Sequence, residues 1–123
     1  MLIQLIFIAT GGATGALLRY FLGNVLKNTL YNNFFSISLI NILGSFLIGL
    51  LISIGKDKNL PEDFIKYFLI IGFLGSFTTF SSFSYEVIEL FLSSKVFISI
   101  LYVILSVTLC ILAALVGLYI NKF

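Results

Sequence analysis

Neutral hydrogen-bond donors and aromatic rings recur at helical spacing inside stretches that are otherwise apolar, and they bound the chemistry open to this chain. Ser38, Asn41, Ser45 and Gly49 are spaced three, four and four, so they share one helical face. An amide in hydrocarbon costs several kcal/mol unless it is satisfied, so Asn41 must point into protein or water. Two roles are open to it: an interhelical hydrogen bond, worth about 0.6 kcal/mol in membranes, or a donor offered to a solute. The run "GFLGSFTTFSSFSYE" (Gly72 to Glu86) carries six aliphatic hydroxyls, four phenylalanines and a closing carboxylate. Phe73, Phe77, Phe80 and Phe83 follow at four, three and three, a single face of a regular helix, with Thr78, Ser81 and Ser84 as a second line. Further on, Ser99, Tyr102, Ser106 and Cys110 recur at three and four, and Gly117 follows after two more turns. Tyr102 and Ser106 can line a polar track, or such hydroxyls can bond back to their own helix carbonyls.

Backbone chemistry adds to this. Gly72 and Gly75, followed by Ser-Phe-Thr-Thr, weaken a helix locally. A break there would free carbonyls, tolerated at membrane depth only if buried in protein or bound to something. Carbonyl oxygens with threonine nearby suit a small hard cation. Ring edges carry partial positive charge and can meet an anion without gripping it as a lysine would, and conduction requires ions to leave as well as enter. The residues by themselves lead to a channel or carrier for a small solute, with an anion among those that fit. The chain has no histidine and no Cys/His cluster, against zinc, haem and iron–sulfur chemistry. Cys110 is the only cysteine, so no intrachain disulfide forms, and at mid-span it is expected to pack as a small apolar residue. A net charge of +2 gives no footing for nucleic acid.

The elements that must hold these residues are membrane spans. Of 123 residues, 60% are hydrophobic and 10% charged, against about a quarter charged in soluble domains. No charge falls between Asn28 and Gly55 or between Val96 and Asn121, and about 20 helical residues cross the hydrocarbon core. We expect a single all-α domain over the whole chain with four spans at about 2–26, 34–54, 64–92 and 96–120, the third broken near its middle. "GKDKNLPED" is the aqueous loop, where Pro61, Glu62 and Asp63 suit a helix start. The N-terminal stretch lacks a basic region before its apolar run and reads as a retained span rather than a signal peptide. Strands are disfavoured, since open sheet edges leave unpaired backbone groups in lipid.

In the first span, Gly11/Gly15 and Gly12/Ala16 form two small-xxx-small pairs that let helix backbones approach. Arg19, one turn on, is expected at a helix end, reaching for the interface or an internal carboxylate. Four spans put Lys56, Lys58, Lys66 and Lys122 on one side and Arg19, Lys27 and Lys95 on the other. So small a bias sets no orientation and permits two copies to insert antiparallel. Four helices fill their own interior, so a transport path would form between subunits.

Three stretches in order, "GGATGALLRY", "SLINILGSFLIG" and "GFLGSFTTFSSF", resemble the small bacterial fluoride channels, the Fluc or CrcB family, over essentially the whole chain. The resemblance implies a multi-pass inner-membrane channel, not an enzyme: an antiparallel homodimer in lipid with two fluoride pores and a central sodium ion. It implies Asn41 as the pore amide, Phe80 and Phe83 as ring edges, and Ser81, Ser84, Tyr102 and Ser106 as extensions of the path, with Glu86 at one end. Gly75 and Thr78 would offer backbone carbonyls to sodium. Two departures stand out: Ser82, where threonine is frequent, and Cys110, where a hydroxyl is expected. Two other classes remain open, a small multidrug-type exporter, which would need a carboxylate early in the chain that the first span lacks, and a non-transporting scaffold subunit.

Overall fold

In the computed structural model the described residues are 1–29, 35–57 and 61–120, with Lys56 and Asp57 described by backbone alone. Phe34, the expected start of the second span, and Lys58 and Lys122 lie outside the described residues. The described residues form helices and no strand. Helix α1 spans Leu2–Thr29, α2 Ser36–Asp57, and α3 comprises Phe64–Leu74 and Gly75–Phe77; α4 is Phe80–Leu92 and α5 Val96–Tyr119. Four stretches are long and apolar enough to cross a membrane: Leu2–Thr29, Ser36–Gly55, Phe64–Leu92 and Val96–Tyr119. The protein is therefore a multi-pass membrane protein, with α3 and α4 sharing the third span.

Local chemistry accounts for the ends and the interruption. Pro61, Glu62 and Asp63 lead into α3, a placement that suits proline's fixed φ and negative charge at a helix start. Phe64–Leu74 is wound as a π-helix, with the Gly75 N–H reaching back five residues to the Ile70 carbonyl. The third span then breaks at Thr78 (φ −85°, ψ 151°) and Thr79 (φ −153°, ψ 130°), both extended. Gly75 itself stays helical at φ −62°, ψ −29°. The bend is small, 13°, so the break removes ladder hydrogen bonds more than it redirects the chain. At the α4–α5 turn Ser94 is left-handed (φ 60°). The Lys95 N–H bonds to the Leu90 carbonyl and the Ser94 N–H to Phe91, the paired closure of a Schellman motif with serine in the place usually taken by glycine.

Packing divides the bundle into two pairs. α2 lies most extensively on α5, and α1 on α3, while α1 and α2 touch little. Both pairs are backbone-close. A Cβ at Gly49 would strike the Ala114 carbonyl and one at Gly117 the Phe46 carbonyl; Gly11 and Gly15 stand likewise against Phe68 and Phe73. Two apolar clusters flank the break: Ile37, Phe83, Leu90 and Tyr102 on one side, and Ile40, Leu74 and Phe77 on the other.

Candidate functional site

The break is held from neighbouring spans. Asn41 on α2 donates its Nδ2–H to the Thr79 carbonyl (3.0 Å) and accepts the Thr79 N–H on Oδ1 (2.9 Å). One face of the amide is thus occupied by the broken backbone, which fixes the amide's orientation and leaves its second N–H uncommitted among the described residues. Arg19 lies ten residues inside α1, not at its end. Its Nε donates to the Ser76 carbonyl at 3.0 Å, a cation at the C-terminal end of α3, where the helix dipole is negative. The expectation that Arg19 reaches the interface or a carboxylate is corrected: α1 continues to Thr29, and Arg19 bonds to the Ser76 carbonyl at the break.

The rings are rearranged by the same interruption. A single four-phenylalanine face does not form, because the π-helical turn and the two extended residues shift its register. Instead Phe73 stacks on Phe77 (centroids 5.8 Å) and Phe80 pairs with Phe83 (5.6 Å), which in turn meets Tyr102 (5.3 Å). Phe83 is 4% exposed and Phe80 75%. Of the hydroxyl line, Thr78 bonds back to Leu74 (2.8 Å) and Ser84 to Phe80 (2.9 Å), while Ser81 meets the Thr79 hydroxyl (2.9 Å).

A cavity of about 570 Å³ brings together Asn41, Gly75, Thr78, Phe80, Ser81, Phe83 and Ser106; Ser45 and Cys110 also line it. Ser84, Tyr102 and Glu86 are not among its walls. A second cavity, about 630 Å³, opens between α1 and α4 and carries Arg19, Lys27, Tyr85, Glu86 and Glu89. Between the two runs a buried line of polar side chains. Ser38 donates to Ser106 (2.7 Å), and Tyr102 donates to Glu86 Oε2 (2.6 Å). Glu86 Oε1 accepts from the Ser36 hydroxyl and the Ile37 N–H, each at 3.3 Å. A carboxylate at 5% exposure is tolerated at this depth because donors face both its oxygens.

Sequence reasoning missed Ser36, the two-way Asn41–Thr79 pairing and the role of Thr79. The Thr79 hydroxyl accepts from the Ser82 N–H (3.4 Å) and caps α4, which the threonine preceding "FSSF" could have signalled. Ser99 donates to the Val87 carbonyl (3.0 Å) and joins α5 to α4. Among the described residues no group of three His, Cys, Asp or Glu side chains could hold a metal. A small cation at the break would meet backbone and hydroxyl oxygens. Carbonyls that could serve there include those of Gly75 and Thr78, whose ladder donors are diverted: the Thr79 and Ser82 N–H groups are given to side chains.

Residues 6–118 match the family model described as CrcB-like protein, Camphor Resistance (CrcB). A relative named Fluoride-specific ion channel FluC from Campylobacter jejuni (strain 81116) is 45% identical, the alignment covering 99% of this chain and 100% of the relative. Relatives of the same name from Flavobacterium psychrophilum (39% identical, 94% of both chains) and Magnetococcus marinus (38%, 97% of this chain and 98% of the relative) are similar over nearly their whole length. The chain belongs to the CrcB-like family.

Proposed function

We propose that the protein is a fluoride-selective channel of the cell's inner membrane, releasing fluoride passively through two pores in an antiparallel pair of identical subunits. The observation that carries this reading is near-full-length similarity to relatives named fluoride-specific ion channels. The cavity at the break supports it, because it offers fluoride neutral donors and ring edges and no basic side chain. The uncommitted N–H of Asn41 and the hydroxyls of Ser81 and Ser106 replace part of the ion's hydration, and Phe80 and Phe83 present ring edges. The absence of a lysine or arginine from those walls keeps binding weak enough for release. The polar line from Ser106 and Tyr102 to Glu86 extends the path toward the second cavity.

The cavity wall is completed by a second copy. Phe80 stands 75% exposed at membrane depth, and one four-helix subunit has no further span to close over it. An oppositely oriented copy would seat its own break against this one and bring the Gly75 and Thr78 carbonyls of both subunits around one sodium ion. Bound there, sodium would balance carbonyl dipoles at the centre of the pair. No energy source is needed, since a potential negative inside drives an anion outward at about 2.3 kcal/mol per charge per 100 mV. Liposomes containing only this protein should release fluoride and retain chloride. Asn41→Ala and Phe80→Ile should each slow fluoride release while the pair stays assembled. Release no faster than from empty liposomes would sink the reading.

A further inference from the structure

A continuous α-helix through the third span would give the Thr79 N–H to the Gly75 carbonyl, the Phe80 N–H to Ser76 and the Ser82 N–H to Thr78. Each of these pairings meets a competitor from a side chain. The Thr79 N–H goes to Asn41 Oδ1 at 2.9 Å. The Ser82 N–H goes to Thr79 Oγ1 at 3.4 Å. The Ser76 carbonyl takes Arg19 Nε–H at 3.0 Å. Two other carbonyls near the break are supplied: Leu74 accepts both the N–H and the hydroxyl of Thr78 (3.0 and 2.8 Å), and Thr79 accepts from Asn41 Nδ2 (3.0 Å). Gly75 and Thr78 are the carbonyls whose helical donors, the Thr79 and Ser82 N–H groups, are taken by side chains.

We propose that Thr79, with Asn41 and Arg19, is a positioning residue that selects which carbonyls of the break are free to bind a small hard cation. This rests on the sodium reading above and assigns the side chains that create the site. Each acts by diverting a particular bond. Asn41 frees Gly75, Thr79 frees Thr78, and Arg19 occupies Ser76, one of the two carbonyls between them, so that it is not a competing ligand. Thr79 decides most directly, because losing its hydroxyl returns the Ser82 N–H to Thr78, its natural partner four residues earlier, and the helix closes over one cation ligand. A β-branched residue without a hydroxyl keeps the bulk of the Thr79 side chain and removes only the acceptor of the Ser82 N–H.

The test is thermal unfolding of the purified full-length protein in detergent, in N-methylglucamine chloride with increasing sodium chloride. Sodium should raise the midpoint temperature of the unsubstituted protein, since a ligand that binds the folded state stabilises it. Thr79→Ser and Thr79→Asn, which can still cap, should keep the half-saturating sodium concentration within about threefold, by the closeness of these residues as caps. Thr79→Val and Thr79→Ala should raise it about tenfold or more, the equivalent of about 1.4 kcal/mol. Having both apolar variants keeps the result readable if one does not fold. A half-saturating concentration that ignores capping ability across the four variants overturns the assignment while leaving the sodium reading standing. No sodium response in the unsubstituted protein overturns both, and leaves the fluoride-release test to be judged alone.

Discussion

Replacing Gly117 by alanine tests whether backbone contact sets the spacing of α2 and α5. A Cβ at Gly117 would lie 2.8 Å from the Leu50 nitrogen and 3.1 Å from the Phe46 carbonyl carbon, and nearer still to the Phe46 oxygen. Ordinary contact begins near 3.4 Å, so α5 must withdraw by at least about 0.6 Å, and no flexible side-chain end is there to yield. Overpacking of this kind costs about 1–3 kcal/mol, against a helix-propensity gain of about 1 kcal/mol for alanine over glycine. Gly23 is the control, because the nearest atom to its Cβ position is Ile40 Cδ1 at 4.0 Å. Gly23→Ala collects the propensity gain without the clash. The two variants should therefore differ by about 1–3 kcal/mol, or about 4–12 °C in unfolding midpoint at roughly 4 °C per kcal/mol. Fluoride release should fall for Gly117→Ala, since the Ser38–Ser106 hydroxyl pair at 2.7 Å bridges the same two helices. Equal midpoints for the two alanine variants would refute the claim that backbone contact limits this packing.

Three further outcomes follow from the geometry. Ser94→Gly relieves a left-handed serine and should raise stability by about 1 kcal/mol, read as a higher unfolding midpoint. Tyr102→Phe removes the 2.6 Å donor to buried Glu86 and should cost about 1–3 kcal/mol, with slower fluoride release; both unchanged would mean that the phenol does not hold the carboxylate. Tyr85→Phe removes an exposed 2.7 Å bond to Glu89 and should alter stability by less than about 0.5 kcal/mol.

The membrane class was legible because charge is absent over whole spans, and that needs no knowledge of contacts. The third and fourth spans begin at the expected Phe64 and Val96, where a proline with two carboxylates and a tight turn mark the starts. The first runs three residues past Leu26, since nothing in "KNT" stops a helix. The weak segment around Gly75 was visible in composition, but the extended pair is Thr78–Thr79, a choice made by tertiary partners. Asn41 was identifiable as a polar residue that must be satisfied; that its partner is the backbone of Thr79, 38 residues away, is not contained in any local spacing. The same holds for Arg19, whose expected role assumed a helix end where the helix continues. The four-phenylalanine face failed because a 3.6-residue period was carried through a π-helical turn and a break.

The two-pair packing has a consequence for how the subunit is made. α2 meets its principal partner, α5, only after the third span has been synthesised, and α1 similarly waits for α3. Newly inserted neighbours therefore have little to hold on to, and each span must persist in lipid alone. The second span, with mean hydropathy 2.3 despite Asn41 and its serines, is apolar enough to do so. Closure of the subunit is deferred to the last helix, and a chain truncated before Val96 would leave Ser38, Tyr102's carboxylate partner Glu86 and the glycine seam of α2 without the surfaces that cover them.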